Sequence, residues 1–228
     1  MSDNDNLKSG LVFLLDVDNT LLNNDRAKAD IQAGLSRILG EQGAARFWQL
    51  YEQVRHQFDV VDYPETLRRF AHDWQDKRAA HEAADLVSNL PYADYVYPNT
   101  MASIKHLSGM GEVAILSDGD SVYQPGKIAA AGLTAAVGGP QDVLIYTHKE
   151  ECFDDVMQRL PGEHYVLVDD KERILALAKA VMGGKLTTVW VKQGHYAADP
   201  KQYQEPRPDI TLDNIGDLRG LGKEAFGG

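Results

Sequence analysis

One cysteine, Cys152, stands among 228 residues. No intrachain disulfide can form, so cohesion must come from a packed core, and a reducing, cytoplasmic setting is expected. Basic residues are also in short supply, 23 Lys and Arg against 34 Asp and Glu, for a formal charge of −11. A nucleic-acid backbone or an anionic membrane surface needs clustered Lys and Arg, so neither is expected as a partner. No apolar run approaches the roughly 18 residues of a membrane span. Residues 1–8 are polar and acidic, lack the basic and apolar regions of a signal peptide, and read as a short solvated arm. There is no internal repeat or low-complexity tract. What remains is an ordinary globular composition, 43% apolar and 25% charged, with length for one large domain or a domain plus a smaller one. An anionic small substrate stays open, because a bound metal can make a site locally positive.

The chain is organised around residues 11–22. Five apolar residues, Leu11 to Leu15, run straight into Asp16 and Asp18. A short, dense apolar run without a polar face reads as a strand buried on both sides of a parallel sheet. Such a strand delivers its end to the crevice where open α/β sheets bind ligands. Alternation puts Asp16 and Asp18 on one side and returns Val17 to the core. Two carboxylates there are costly unless something positive sits against them. One can attack an electrophile while the other moves protons. A plain strand-end turn capped by Asp and Asn is the simpler reading, and it leaves the other strand ends unexplained.

From about residue 25 to 89 the spacing turns helical: Ile31, Leu35, Ile38 and Leu39; then Phe47, Leu50, Tyr51, Val54 and Phe58; then Leu67, Phe70 and Trp74 after Pro64; then Ala79, Ala83, Leu86 and Val87. Four or five packed helices are expected. Beyond Pro98, strands and helices alternate: a helix over 99–108, a strand over 112–116, a helix over 127–132, strands over 143–146, 165–168 and 187–191 with helices between, and a possible edge strand at 210–212. The fold class is α/β, a Rossmann-like core with a mostly parallel sheet. Residues 1–22 and 98–228 form that core, and 23–97 form a helical cap domain inserted after the first strand.

Three further strand ends carry compatible groups. Ser117 closes the second strand, where its hydroxyl and the N–H groups that follow, beginning at Asp118, can hold a phosphate oxygen. Asp169 and Asp170 close a later strand, where adjacent acids repel unless a cation is present. Lys149 opens a helix, against the dipole. Lys127, in an Ala-rich helical stretch, competes for the same role and ranks below it.

An apolar strand followed by Asp16-x-Asp18-x-Thr20, then Ser117, then Lys149, then Asp169-Asp170, resembles the haloacid dehalogenase (HAD) superfamily. All four motifs come in the family's order across residues 11–191, and the helical insert resembles its C1 cap. The resemblance implies a Mg2+-dependent hydrolase of a small phosphorylated metabolite, working through an aspartyl-phosphate. Asp16 would be the nucleophile and Asp18 the acid and base. Ser117, with Asp118, would bind the phosphoryl group, and Lys149 would offset its charge. Asp170 would be the leading Mg2+ ligand with Asp169 beside it, joined by Asp16 and by Asp18 through its main chain. Two departures stand out. Many members carry a further acid where Ile174 and Leu175 stand, and Asn is common where Asp118 stands. A phosphomutase, a dehalogenase, or a weakly catalytic binding member are the alternatives. In the cap, Arg26, Arg55, His56, Tyr63, Arg68 and Arg69 are candidates to face substrate, while Trp48 and Trp74 read as cap core.

Overall fold

Strand β1 (Leu11–Leu15) is buried along its whole length, no residue above 3% exposed. Its side chains divide by alternation. Leu11, Phe13 and Leu15 enter one apolar cluster and Val12 and Leu14 another on the opposite face. That explains why its sequence shows no polar side: both faces are covered. A computed structural model describes residues 10–199 and 203–227, and the expected N-terminal arm lies outside them.

Around β1 stand β2 (Glu112–Asp118), β3 (Val143–Tyr146), β4 (His164–Asp169), β5 (Leu186–Val191) and β6 (Ile210–Leu212), in the spatial order β3-β2-β1-β4-β5-β6. Every pairing is parallel. The order reverses between β1 and β4, which opens the ligand crevice of a doubly wound sheet at the carboxyl ends of those two strands.

Between β1 and β2 lie α1 (Asn24–Phe58), α2 (Tyr63–Asp73), α3 (Lys77–Ser88) and α4 (Thr100–Ser108). Helix α1 is two limbs, broken at Gly40, whose φ of 69° and ψ of 171° are not helical. Lys28 lies over the ring of Tyr51, 5.6 Å from its centroid. On a straight helix those residues would be about 35 Å apart at 1.5 Å per residue. The limbs therefore fold back as a hairpin, and the sequence's two separate helical patterns before and after residue 40 are its two arms. Asp62 and Asp76 cap α2 and α3 by accepting from backbone N–H groups, and Pro64 occupies the first turn of α2. Trp48 and Trp74 pack partly buried against the apolar cluster that includes Phe47 and Phe70.

The rest alternates as expected: α5 (Tyr123–Ala130), α6 (Leu133–Val137), α7 (Phe153–Arg159) and α8 (Glu172–Met182). Two details differ from the sequence reading. Helix α5 begins at Tyr123 rather than 127, because Asp120 accepts from the N–H groups of Val122 and Tyr123 at 2.8 and 2.7 Å. Pro125 sits in its first turn, where a missing N–H costs nothing. The short α6 was not anticipated; glycines at positive φ bracket it on both sides. Among the described residues no helix is long and apolar enough to cross a membrane.

Candidate active site

β1 ends by placing Asp16 at the crevice. Its backbone N–H still donates to Val168 O at 3.0 Å, so the carboxylate is fixed to both central strands. Asn19, at φ 63°, then turns the chain sharply, and Thr20 comes back to donate to Asp16 Oδ2 at 3.0 Å. The other oxygen, Oδ1, accepts from Lys149 Nζ at 2.5 Å. The same ammonium reaches Asp169 Oδ2 at 2.7 Å. Lys149 is fully buried, held at the end of β3 by a hydrogen bond from its backbone N–H to Asp118 Oδ1 at 2.9 Å. Burial alone would lower the Lys149 pKa; Asp16, Asp169 and Asp118 outweigh it and hold the ammonium well above its ordinary value.

Three carboxylates converge here. Asp16, Asp169 and Asp170 each bring an oxygen within 4.8 Å of the others. Asp169 is engaged, by Lys149 and by the backbone N–H of Lys171 at 2.9 Å. Asp170 is not: both its oxygens are buried and neither has a hydrogen-bond partner. Burial, then Asp16 and Asp169, push the Asp170 carboxyl up to about 9. Burial likewise raises Asp16, against Lys149 and with help from Asp169. Lys171 adds a second ammonium, held above its ordinary value by Asp16 against the burial that would lower it. With all of them ionised, three carboxylates against two ammoniums leave a negative excess of one, which adds to burial in making Asp16 and Asp170 hold their protons more tightly. A hard divalent cation with oxygen ligands reverses that excess, and the unpartnered Asp170 oxygens fit one. Among these acids Asp170 is the freest to ligate.

Asp18 is not in that group. It stands half-exposed on the other side of the turn and is bonded by Lys127, whose ammonium also donates to Asn24 Oδ1 at 3.0 Å. Gln124 joins them, donating to Ser117 Oγ at 3.0 Å and lying 3.5 Å from Asp18 Oδ2. Gln124 can come this close because Gly119, at φ 155°, has no Cβ; one there would sit 2.6 Å from the Gln124 side chain. Ser117 is buried and donates to the Asp118 carbonyl at 3.2 Å. The Asp118 carboxylate accepts from the Lys149 backbone N–H at 2.9 Å.

The structure thus brings Asp16, Asp18, Ser117, Lys149, Asp169 and Asp170 to one crevice, and separates the two lysines that compete in sequence. Lys149 serves Asp16, and Lys127 serves Asp18. Gln124 and Lys171 are the site neighbours that motif reading passed over, while Lys127 ranks below Lys149 for the same role in the sequence; α5 starting at Tyr123 puts Gln124 and Lys127 one turn apart on one side. Ile174 and Leu175, where an acid is often found, are buried in the apolar cluster under α8. Of the cap candidates, Tyr63 shares a cavity with Lys127, the residue that bonds Asp18. It lines a cavity of about 320 Å3 between α2 and α5, with Tyr92, Tyr123 and Lys127. Arg68 and Arg69 bind Glu65, Arg26 pairs with Asp30, and Arg55 with Glu52. His56 is exposed.

The family model for haloacid dehalogenase-like hydrolases matches residues 11–181. The chain belongs to this family. A crystal structure from Burkholderia xenovorans LB400, provisionally described as a HAD-like hydrolase, is 43% identical, with 95% of this chain and 98% of that chain covered and a TM-score of 0.85. More distant solved structures share the fold. An L-2-haloacid dehalogenase from Xanthobacter autotrophicus is 18% identical at TM-score 0.58, covering 92% of this chain and 97% of that chain. A HAD phosphatase from Thermococcus onnurineus is 22% identical at 0.61, covering 92% and 96%. No curated protein matches the chain. These HAD likenesses establish a hydrolase of this fold; the choice between halide and phosphate rests on the site itself.

Proposed function

We propose that this HAD-like hydrolase is a Mg2+-dependent phosphatase of a small phosphorylated metabolite. The observation that carries the reading is Asp170, a buried carboxylate with no partner, packed against Asp16 and Asp169. Displacing a halide with one aspartate has no need of a second and third buried acid beside it. Transfer of a phosphoryl group does, because positioning and neutralisation of oxygen charge are most of the catalysis.

Asp16, Asp169 and Asp170 would hold Mg2+, which when bound neutralises charge on the phosphoryl oxygens. Asp16 attacks phosphorus through its carboxylate, which hydrogen bonds from Thr20 to one oxygen and Lys149 to the other hold in place, and the bond from phosphorus to the substrate oxygen breaks. Asp18, on the far side of the turn, gives that oxygen a proton. It then takes one from the water that hydrolyses the Asp16 acyl phosphate, releasing inorganic phosphate. Ser117 holds a phosphoryl oxygen, with Gln124 orienting its hydroxyl. Lys149 balances Asp16 throughout. The direct test is release of phosphate from p-nitrophenyl phosphate with Mg2+ and after EDTA. Turnover that survives EDTA, or halide release from a haloacid in its place, contradicts the proposal.

Two outcomes follow from the separated lysines and from Asp170. Lys149→Met should lower turnover on the order of a hundred- to a thousandfold, as loss of a positioned charge does. Lys127→Met should cost about tenfold, since Asp18 keeps its place in the turn but loses the group that aims it. Steady-state kinetics in the reverse order would move the nucleophile's partner to Lys127. For the metal, a carboxyl titrating at about 9 must lose its proton to ligate. Mg2+ affinity by calorimetry should therefore rise as pH goes from about 6 to about 9, with proton release per bound ion falling over the same range. An affinity flat across that range removes Asp170 from the ligand set.

A further inference from the structure

The turn that carries Asp18 is held from a distant part of the chain. Lys127 fixes the Asp18 carboxylate from α5. The backbone beyond Asp18 is gripped by residues 193–195, which follow β5. Gln193 is buried; its Nε2 donates to Thr20 O at 3.1 Å, and its Oε1 accepts from the Ile215 N–H at 2.6 Å. Gly194, at φ 67°, brings the loop against Asn19, where a Cβ on the glycine would sit 2.5 Å from the Asn19 Cβ. His195 then takes hold of Asp25, in the first turn of α1. Its backbone N–H donates to Asp25 Oδ2 at 2.8 Å, and its ring Nδ1 lies 2.7 Å from Asp25 Oδ1.

Asp25 passes that hold back to Asn19. The Asn19 amide donates to Asp25 Oδ1 at 3.1 Å, and its oxygen accepts from the Asp25 N–H at 3.2 Å. Burial alone would raise the Asp25 pKa; hydrogen bonds from the His195 ring and from Asn19 outweigh it and lower it. An ionised carboxylate only accepts, so the His195 Nδ1 carries the hydrogen. Tyr196 backs the imidazole, with the ring centroids 3.9 Å apart. A half-exposed His–Asp pair contributes little to global stability. Its use here is local. Asn19 sits at φ 63°, in the left-handed region, immediately after Asp18. Its conformation sets the path of the chain at Asp18 and so the direction of that carboxylate.

We propose that His195 is a positioning residue for proton transfer: through Asp25 and Asn19 it fixes the turn that aims Asp18 at the leaving oxygen. This rests on the phosphatase reading for the proton that Asp18 gives, but not for the hold on the turn. The imidazole works through Asp25 and exchanges no proton with the substrate. Its loss should therefore be felt where the leaving oxygen needs a proton, and little where it departs as a stable anion.

Two readouts on the full chain with Mg2+ present test this. The first is hydrogen exchange of residues 16–25, where the N–H groups of Asn19, Thr20, Leu21 and Leu22 are bonded within the turn. His195→Ala should speed exchange there at least about threefold and leave β2 and β4 unchanged. The second is kcat/KM for phenyl phosphate against p-nitrophenyl phosphate, esters of similar shape; this ratio reads only the steps up to departure of the leaving group. His195→Ala should lower it at least about tenfold for the phenyl ester and less than about threefold for the nitrophenyl ester, whose anion leaves unaided. His195→Asn, whose amide can still donate to Asp25, should recover both readouts. Unchanged exchange, an equal fall for the two esters, or no recovery in His195→Asn overturns the proposal. If wild type hydrolyses neither ester while exchange responds as stated, the phosphatase reading fails and the hold on the turn stands. Should His195→Ala fail to fold, Gly194→Ala, which drives a methyl against Asn19 with the imidazole in place, is judged by the same two readouts.

Discussion

Asp16→Asn is expected to lower turnover of phosphate esters by at least about a thousandfold, the scale of losing a nucleophile, and to leave the fold in place. The second half of that expectation is specific to this site. Removing a buried ion-pair partner normally strands a charge at a cost of about 3–5 kcal/mol. Here Lys149 keeps Asp169 at 2.7 Å, and the Asn amide can still accept from Thr20. The substitution also removes one of three mutually repelling carboxylates. Thermal denaturation of the variant should therefore stay close to wild type while phosphate release disappears. A variant that retains more than about a tenth of wild-type turnover is incompatible with Asp16 as the attacking group.

How much of this could be read from the chain differs by element. The twofold alternation hidden in β1 was legible because a run buried on both faces has no polar side, and Phe13 and Leu14 indeed point into different clusters. Strand β3 was legible to the residue, since Val143 to Tyr146 lies between clear breakers. The start of α5 was not, because its signal is Asp120 capping a turn four residues before the apolar pattern begins, with Pro125 seeming to forbid a helix there. That miss concealed the partner of Asp18: with α5 begun at Lys127, the lysine is a helix start rather than the second turn of a helix aimed at the crevice. Asp16, Asp169 and Asp170 were legible as acids at strand ends because parallel strands deliver their carboxyl ends to one edge. That Asp170 leads as a ligand came only from the family resemblance; the physical reason needs the fold, since it depends on Lys149 reaching Asp16 and Asp169. The pairing of Lys28 with Tyr51 could not be read at all, because it needs the hairpin at Gly40 to bring two positions of one helical stretch face to face.

Asp170→Asn should abolish Mg2+ dependence and at the same time stabilise the metal-free protein. The Asp170 carboxyl rises from 3.8 to about 9 on folding. A carboxyl whose folded pKa lies above its unfolded one binds more protons folded than unfolded between those values. Its destabilising effect therefore begins above 3.8, grows as pH rises and is complete near 9. At neutral pH the cost is on the order of a few kcal/mol, at about 1.4 kcal/mol per pH unit. An amide never ionises, so the metal-free variant should melt several degrees higher than metal-free wild type at pH about 8, at the roughly 2–4 °C per kcal/mol of a chain this size. The gain should shrink as the pH is lowered toward 4 or so. Wild type should recover the difference when Mg2+ is added, and the variant should not respond. Equal melting temperatures for the two metal-free proteins across this range would mean that Asp170 has a partner in solution and is not held open for a cation.

The most direct test of the central claim is to quench wild-type protein in acid during turnover of a phosphate ester with Mg2+ and map the mass of the peptide holding residues 11–22. The account predicts one added phosphoryl group, located on Asp16, absent after EDTA and absent in Asp16→Asn. An unmodified peptide during rapid turnover, or a phosphoryl group on any other residue, would contradict it.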